Sequence, residues 1–268
     1  MAHGHRSIFT WSLVALSVAG LLLLTLPTVA LVIRTIEARD NLDGPQARSV
    51  LREALVLSFV SSTIALVVVL VVGTPVAYLL ARTRFPGIRL VDALVDLPII
   101  LPPAVAGIAL LSAFGRRGLL GETFGRLGIE IAFSTTAVVI AQAFVSAPFY
   151  IRTARAGFAR VDRAVEEAAA NLGASPWHVF REVTLPLSRA SLIAGAVLSW
   201  ARALGEFGAT IMFAGNRQGV TQTMPLAIYE RFGAGDLPTA LMLSTILLGT
   251  SVVFLVVVRI AGEPTTGR

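Results

Sequence analysis

Neither cysteine nor lysine occurs among the 268 residues. Without cysteine there is no disulfide and no thiolate metal site. Without lysine there is no P-loop, because that loop needs a Lys to reach the nucleotide phosphates. Any energy from ATP must therefore come from another chain. Histidine is scarce and scattered, with His3 and His5 near the N-terminus and His178 alone far along the sequence. No cluster has metal-ligand spacing, so neither a metal nor a cofactor is expected in this chain. Charge is scarce as well, at 14% of residues, where a soluble domain carries about 25%.

Apolar residues fill the space, at 55% of the chain with a mean hydropathy of +0.79. They come in blocks long enough to cross a bilayer, which takes roughly 20 residues per helix. Such runs lie near residues 12–33, 54–81, 91–114, 131–151, 190–213 and 237–260. The expectation is an all-α integral membrane protein of about six transmembrane helices, residues 1–268 forming one membrane domain in a lipid bilayer. No length remains for a separate soluble domain. The run from Ser12 to Ile33 exceeds the 7–15 residues of a secretory signal core, so it reads as an uncleaved first helix. No internal repeat of fixed period is visible, which argues against transporters built from tandem repeats.

The third run contains Pro98, Pro102 and Pro103. Proline removes a backbone donor and clashes with the preceding turn. Two readings stay open there: a short cytoplasmic helix followed by a short span, or a broken helix beside a pathway.

The formal charge is +6, all of the basic residues being Arg. In a membrane protein such a balance reflects Arg on cytoplasmic loops rather than a nucleic-acid surface. With the N-terminus inside, cytoplasmic segments hold twelve Arg, from Arg6 to Arg268, and outer loops nine, including Arg34, Arg39 and Arg217. Six fall in the segment 152–189, which sets the orientation with both termini cytoplasmic.

That segment also carries helix signals. Asp162 can cap a helix that ends at Gly173, a residue that accepts the left-handed conformation past a helix end. Ser175 and Pro176 suit the N-cap and first position of a second helix. This helix is expected to run through Trp177, Phe180 and Val183 and to stop at Leu185-Pro186. The whole reads as a helix–turn–helix between two spans. From composition alone it could be a solvated amphipathic hairpin.

Its spacing says more. Glu167-Ala168-Ala169, then Gly173 six residues after that Glu, Val183 ten further on, and Leu185-Pro186 resemble the EAA loop of ABC importer permeases. Val183 stands where Ile is usual. Ala203-Leu-Gly-Glu-Phe-Gly-Ala-Thr210, Phe213-Ala-Gly-Asn216 and Thr223-Met-Pro-Leu-Ala-Ile-Tyr229 are similar to the molybdate branch of that family. So are Leu101-Pro-Pro-Ala-Val-Ala-Gly107 and Phe114-Gly-Arg-Arg-Gly-Leu-Leu-Gly121. Sulfate permeases are close relatives that differ little in these stretches.

The resemblance implies a permease of the bacterial inner membrane that imports a small oxyanion, molybdate first and tungstate second. It implies a second copy of this chain, two ATPase subunits carrying ATP and Mg, and an extracytoplasmic binding protein. It makes the cytoplasmic loop 152–189 the coupling element, with Glu167, Ala168, Ala169, Gly173, Ser175 and Pro176 at the ATPase contact.

The fifth run has two small-residue rows, Ala201/Gly205/Ala209 and Gly195/Ser199/Ala203, that allow close helix approach in lipid. On it Arg202 and Glu206 are four apart and can pair, either as a packing ion pair or near the pathway or gate. On the second run Ser58, Ser61, Ser62, Thr63 and Thr74 can satisfy backbone carbonyls within the membrane or line a polar path.

An alternative is a sulfate/thiosulfate permease. A rival of another class is an ion-gradient-driven secondary transporter, for which Glu206 is the only acid convincingly mid-span. A membrane-embedded enzyme would need a cluster of His or acids at one depth, and none is visible.

Overall fold

The computed structural model describes residues 2–38 and 45–262, and no strand occurs among them. The side chains of His3, His5, Arg6 and Arg259, and the whole of Arg39 and Arg268, lie outside the described residues. The chain forms α1 (Ala2–Glu37), α2 (Pro45–Arg82), α3 (Ile88–Ile100), α4 (Pro103–Phe114), α5 (Gly121–Arg126) and α6 (Thr135–Arg160). There follow α7 (Arg163–Asn171), α8 (Pro176–Val179), α9 (Leu185–Leu204), α10 (Gly208–Ala214), α11 (Met224–Gly233) and α12 (Leu237–Gly262). Five stretches among the described residues are long and apolar enough to cross a membrane, or six if the bent pair α3/α4 counts as one. In hydrocarbon every backbone polar group must be satisfied internally, which is why these apolar runs are helices.

The proline-rich third run is broken. Leu101 adopts the extended conformation that a following proline favours, and α3 and α4 meet at 117° across Leu101-Pro102.

The centre of the bundle is α6, against which α2, α3, α4, α9 and α10 pack. Its start is capped by Ser134, whose Oγ accepts the Ala137 N–H at 3.3 Å. It runs to Arg160, beyond the expected end of the run at residue 151, so the first nine residues of the expected loop 152–189 continue that helix.

Lipid tails are as apolar as Leu, so close packing rather than water exclusion holds such helices together. Small residues permit it. A Cβ on Gly157 would fall 2.5 Å from the Ser191 Cβ, and one on Gly195 would fall 3.1 Å from the Thr153 Cβ. Ser199 Oγ donates to the Ser146 carbonyl at 3.1 Å. These contacts climb α9 while descending α6, so the two helices are antiparallel. The row Gly195/Ser199/Ala203 therefore packs as expected. The row Ala201/Gly205/Ala209 does not, because Ala201 and Gly205 face outward and the helix ends before Ala209.

The fifth span also departs from its expected bounds of 190–213. The second hairpin helix does not stop at Leu185-Pro186. It passes through a π-helical turn, Phe180–Thr184, directly into α9, so one continuous helix runs from Pro176 to Leu204. Pro186 has no N–H for the Glu182 carbonyl. The ladder shifts by one residue there, with Leu185 N–H reaching Phe180 O. At the far end α9 gives way at Gly205, and α10 starts anew at Gly208.

Hydroxyls on α2 act partly as expected. Ser61 and Ser62 bond carbonyls of their own helix. Others reach neighbours: Ser58 Oγ accepts Met224 N–H at 2.7 Å, Thr63 accepts Trp200 Nε1–H at 3.4 Å, and Thr74 and Tyr150 share a 2.6 Å bond.

Candidate functional site

Two places combine unusual backbone with polar groups. The first is the hairpin α7–α8. Asp162 Oδ1 accepts the Ala164 N–H at 3.0 Å and so caps α7. The helix ends in a Schellman motif: Ala174 N–H bonds Ala169 O at 3.1 Å, and Gly173 N–H bonds Ala170 O at 2.9 Å. Gly173 sits at φ +92°, where an L side chain is strained, and a Cβ there would meet nothing within 4 Å. Ser175 Oγ then caps α8 by accepting His178 N–H at 3.3 Å.

The hairpin turns its small residues outward. Glu167, Ala168, Gly173, Ser175 and Pro176 are exposed, and Ala169 is half-buried. Ala169, Gly173, Ser175, His178 and Val183 line a shallow hollow of about 600 Å³. Leu172 is 89% exposed and Trp177 67%.

The inner face of the hairpin is anchored instead by Glu166, a residue that motif reading passed over. Its Oε1 accepts from Arg82 Nη2 at 2.8 Å and from Thr184 Oγ1 at 2.6 Å. Adjacent residues on a helix point roughly 100° apart. The pair Glu166-Glu167 therefore signals one acid turned inward and one outward, although not which partner the inward one finds.

Two further ion pairs tie α3 to α6: Arg152 holds Asp96 through two 2.5 Å bonds, and Arg155 pairs with Asp92. These were also missed. Their signal is the matched spacing of two acids one helical turn apart and two Arg three apart.

The second place is where the two helix breaks meet. A Cβ on Gly208, at the start of α10, would lie 2.5 Å from the Cβ of Pro103, at the start of α4. Beside this junction Arg202 Nη2 contacts Glu206 Oε2 at 2.6 Å, as the four-residue spacing predicts. The Glu206 side chain is 1% exposed and that of Arg202 30%. The other carboxylate oxygen of Glu206 accepts the Ala209 N–H at 2.8 Å, so it also anchors the first turn of α10. Arg202 lines a small hollow of about 110 Å³ with Pro98, Leu101, Pro103 and Phe149. The break in the third run and the ion pair of the fifth are thus one locality, which spacing along the chain could not reveal.

At the end of α6 opposite the hairpin lies a cavity of about 1050 Å³ with Arg116, Arg126 and Arg217 on its wall. Arg116 pairs with Glu130 at 2.8 Å and Arg126 with Glu122 at 2.6 Å. Among the described residues no group of three or more His, Asp or Glu could hold a metal ion.

A helical bundle with several apolar spans, two broken segments and an exposed capped hairpin is the architecture of a multi-pass membrane protein. The family described as binding-protein-dependent transport system inner membrane component matches residues 73–262, and the chain belongs to it. The molybdenum transport system permease protein ModB of Mycobacterium tuberculosis is 42% identical over 88% of this chain and 89% of its own length. The sulfate transport system permease protein CysT of Escherichia coli is 36% identical over 92% of this chain and 90% of its own. Among solved structures, a bacterial ABC transporter involved in the import of alginate shares the fold. Its TM-score is 0.73 at 14% identity, covering 98% of this chain and 97% of that one.

Proposed function

We propose that this chain is the permease subunit of an ATP-driven importer whose cargo is molybdate, with tungstate as a second substrate. The observation that carries this reading is the 42% identity to a molybdenum permease along nearly the full length of both chains. A second reading, a sulfate/thiosulfate permease, draws on the 36% identity to CysT.

In this reading two copies of the chain enclose the path, and two ATPase subunits carry ATP and Mg. An extracytoplasmic binding protein delivers the anion to the end of the bundle opposite the hairpin. Both termini face the cytoplasm. The hairpin enters a groove of the ATPase, with Glu167, Ala168, Ala169, Gly173, Ser175 and Pro176 at the contact. Support for that role comes from Leu172 and Trp177, two large apolar side chains left exposed on the hairpin, which an ATPase groove would cover. Arg202 and Glu206 are assigned to the path or its gate. ATP binding draws the two hairpins together, and hydrolysis lets them part, alternating access between the two sides.

The test is uptake in proteoliposomes containing the permease, its ATPase and its binding protein. Molybdate should drive ATP hydrolysis and accumulate, tungstate should compete, and sulfate should not. Sulfate accumulation that excess molybdate leaves untouched would replace the cargo with sulfate.

A further inference from the structure

The node beneath the hairpin is built unlike the surface ion pairs around it. The side chains of Arg82 and Glu166 are 10% and 14% exposed, whereas Arg181 and Glu182 nearby are 68% and 52% exposed. Surface pairs of the latter kind contribute little. At the node, three separate pieces of chain meet at one carboxylate oxygen of Glu166: the last residue of α2, the first turn of α7, and Thr184 at the end of the π-helical turn. Arg82 Nη2 donates in addition to Val161 O at 3.1 Å, and Arg163 Nη2 donates to the Arg82 carbonyl at 3.3 Å. The end of α2 is thus bonded to the residues on both sides of the α6–α7 junction.

An apolar layer lies directly above. Tyr78, one turn before Arg82 on α2, packs edge-on against Phe180 of the π-helical turn at 4.9 Å and against Phe158 of α6 at 5.5 Å. Polar and aromatic contacts together make α7, the π-helical turn and the end of α2 one block.

The other half of α2 is fastened elsewhere. Ser58 Oγ holds the Met224 N–H at the start of α11, and Glu53 accepts from Gln218 Nε2 at 3.1 Å in the loop before it. A 38-residue helix spans about 57 Å. One helix is therefore bonded to the hairpin at one end and to the α10–α11 loop towards the other.

We infer that the Arg82–Glu166–Thr184 node is a transmission joint: it carries displacement of the hairpin into α2, and through α2 to the far-side loop 215–223. Glu166 is a positioning residue, distinct from the outward-facing Glu167 that would meet the ATPase. The inference rests on the proposed role of the hairpin as the ATPase contact.

The test uses the full complex, with Glu166→Gln, Arg82→Glu and the charge-swapped double variant Arg82→Glu/Glu166→Arg beside wild type. Three quantities are measured: co-purification of the ATPase, basal hydrolysis, and hydrolysis stimulated by molybdate-loaded binding protein. Glu166→Gln should keep the first two and lose stimulation by about tenfold, a usual size for coupling between sites. The swap should recover part of that loss relative to Arg82→Glu alone, which a general weakening of the fold would not do. Two results would overturn the joint. One is stimulation within twofold of wild type in Glu166→Gln. The other is loss of co-purification in that variant, because the node would then only shape the docking surface. If wild type itself bound no ATPase, the hairpin assignment would fall instead.

Discussion

Removing Arg202 tests the second locality most directly. In Arg202→Ala the Glu206 carboxylate, 1% exposed, keeps its bond to Ala209 N–H but loses the guanidinium at 2.6 Å. Stripping one partner from a buried pair costs about 3–5 kcal/mol, mainly through the charge left behind. Arg202 is itself 30% exposed, which places the expected loss near the lower end, at about 3 kcal/mol. For a chain of this size that is a fall in Tm of roughly 6–12 °C.

The choice of second-site change matters. Glu206→Ala would also remove the acceptor for Ala209 N–H, and lost caps cost about 0.5–2 kcal/mol. Glu206→Gln keeps an oxygen there and discards only the charge. Arg202→Ala/Glu206→Gln should therefore be more stable than Arg202→Ala alone. Thermal unfolding of the detergent-solubilised protein at one fixed scan rate reads this order. An Arg202→Ala variant within 1–2 °C of wild type, or a double variant below the single, would refute the buried-pair argument.

Gly173→Val should strain the left-handed turn and abolish ATPase binding while insertion and dimer formation persist, whereas Gly173→Asn should bind nearly as wild type, since Asn tolerates that conformation; equal co-purification in all three would remove the hairpin from the contact. Gly157→Val should destabilise the α6–α9 packing by about 1–3 kcal/mol, with partial recovery on adding Ser191→Gly, measured as Tm. A cysteine at Ser175 should be shielded from an impermeant thiol reagent added outside intact cells and one at Gln218 should react, a clean experiment in a chain without native thiols; the opposite pattern would invert the orientation.

Composition and local spacing determined much of this protein. Blocks of apolar residues demand helices in lipid, because no other local structure satisfies the backbone there. Caps are equally local: Asp162, Gly173, Ser175 and Pro176 each do what their own backbone preferences predict. Arg202 and Glu206 pair as their four-residue spacing predicts, although α9 ends at Leu204 and Glu206 lies in the break just beyond it.

Continuity of helices was less legible. Leu185-Pro186 reads as a stop, yet a proline within the first turn of a helix is tolerated, and the π-helical turn before it absorbs the missing donor. Conversely, no proline marks the interruption at 205–207, where a side chain, Glu206, starts the next helix by holding Ala209 N–H.

Only the tertiary structure decided which distant residues meet. Glu166 and Arg82 are 84 residues apart, and Arg152 and Asp96 are 56 apart. Helical periodicity says which side of a helix a residue occupies, but not which helix that side faces. Pro103 against Gly208 is the sharpest case: two breaks, in helices a hundred residues apart, share one junction because Gly208 has no Cβ to hold Pro103 away.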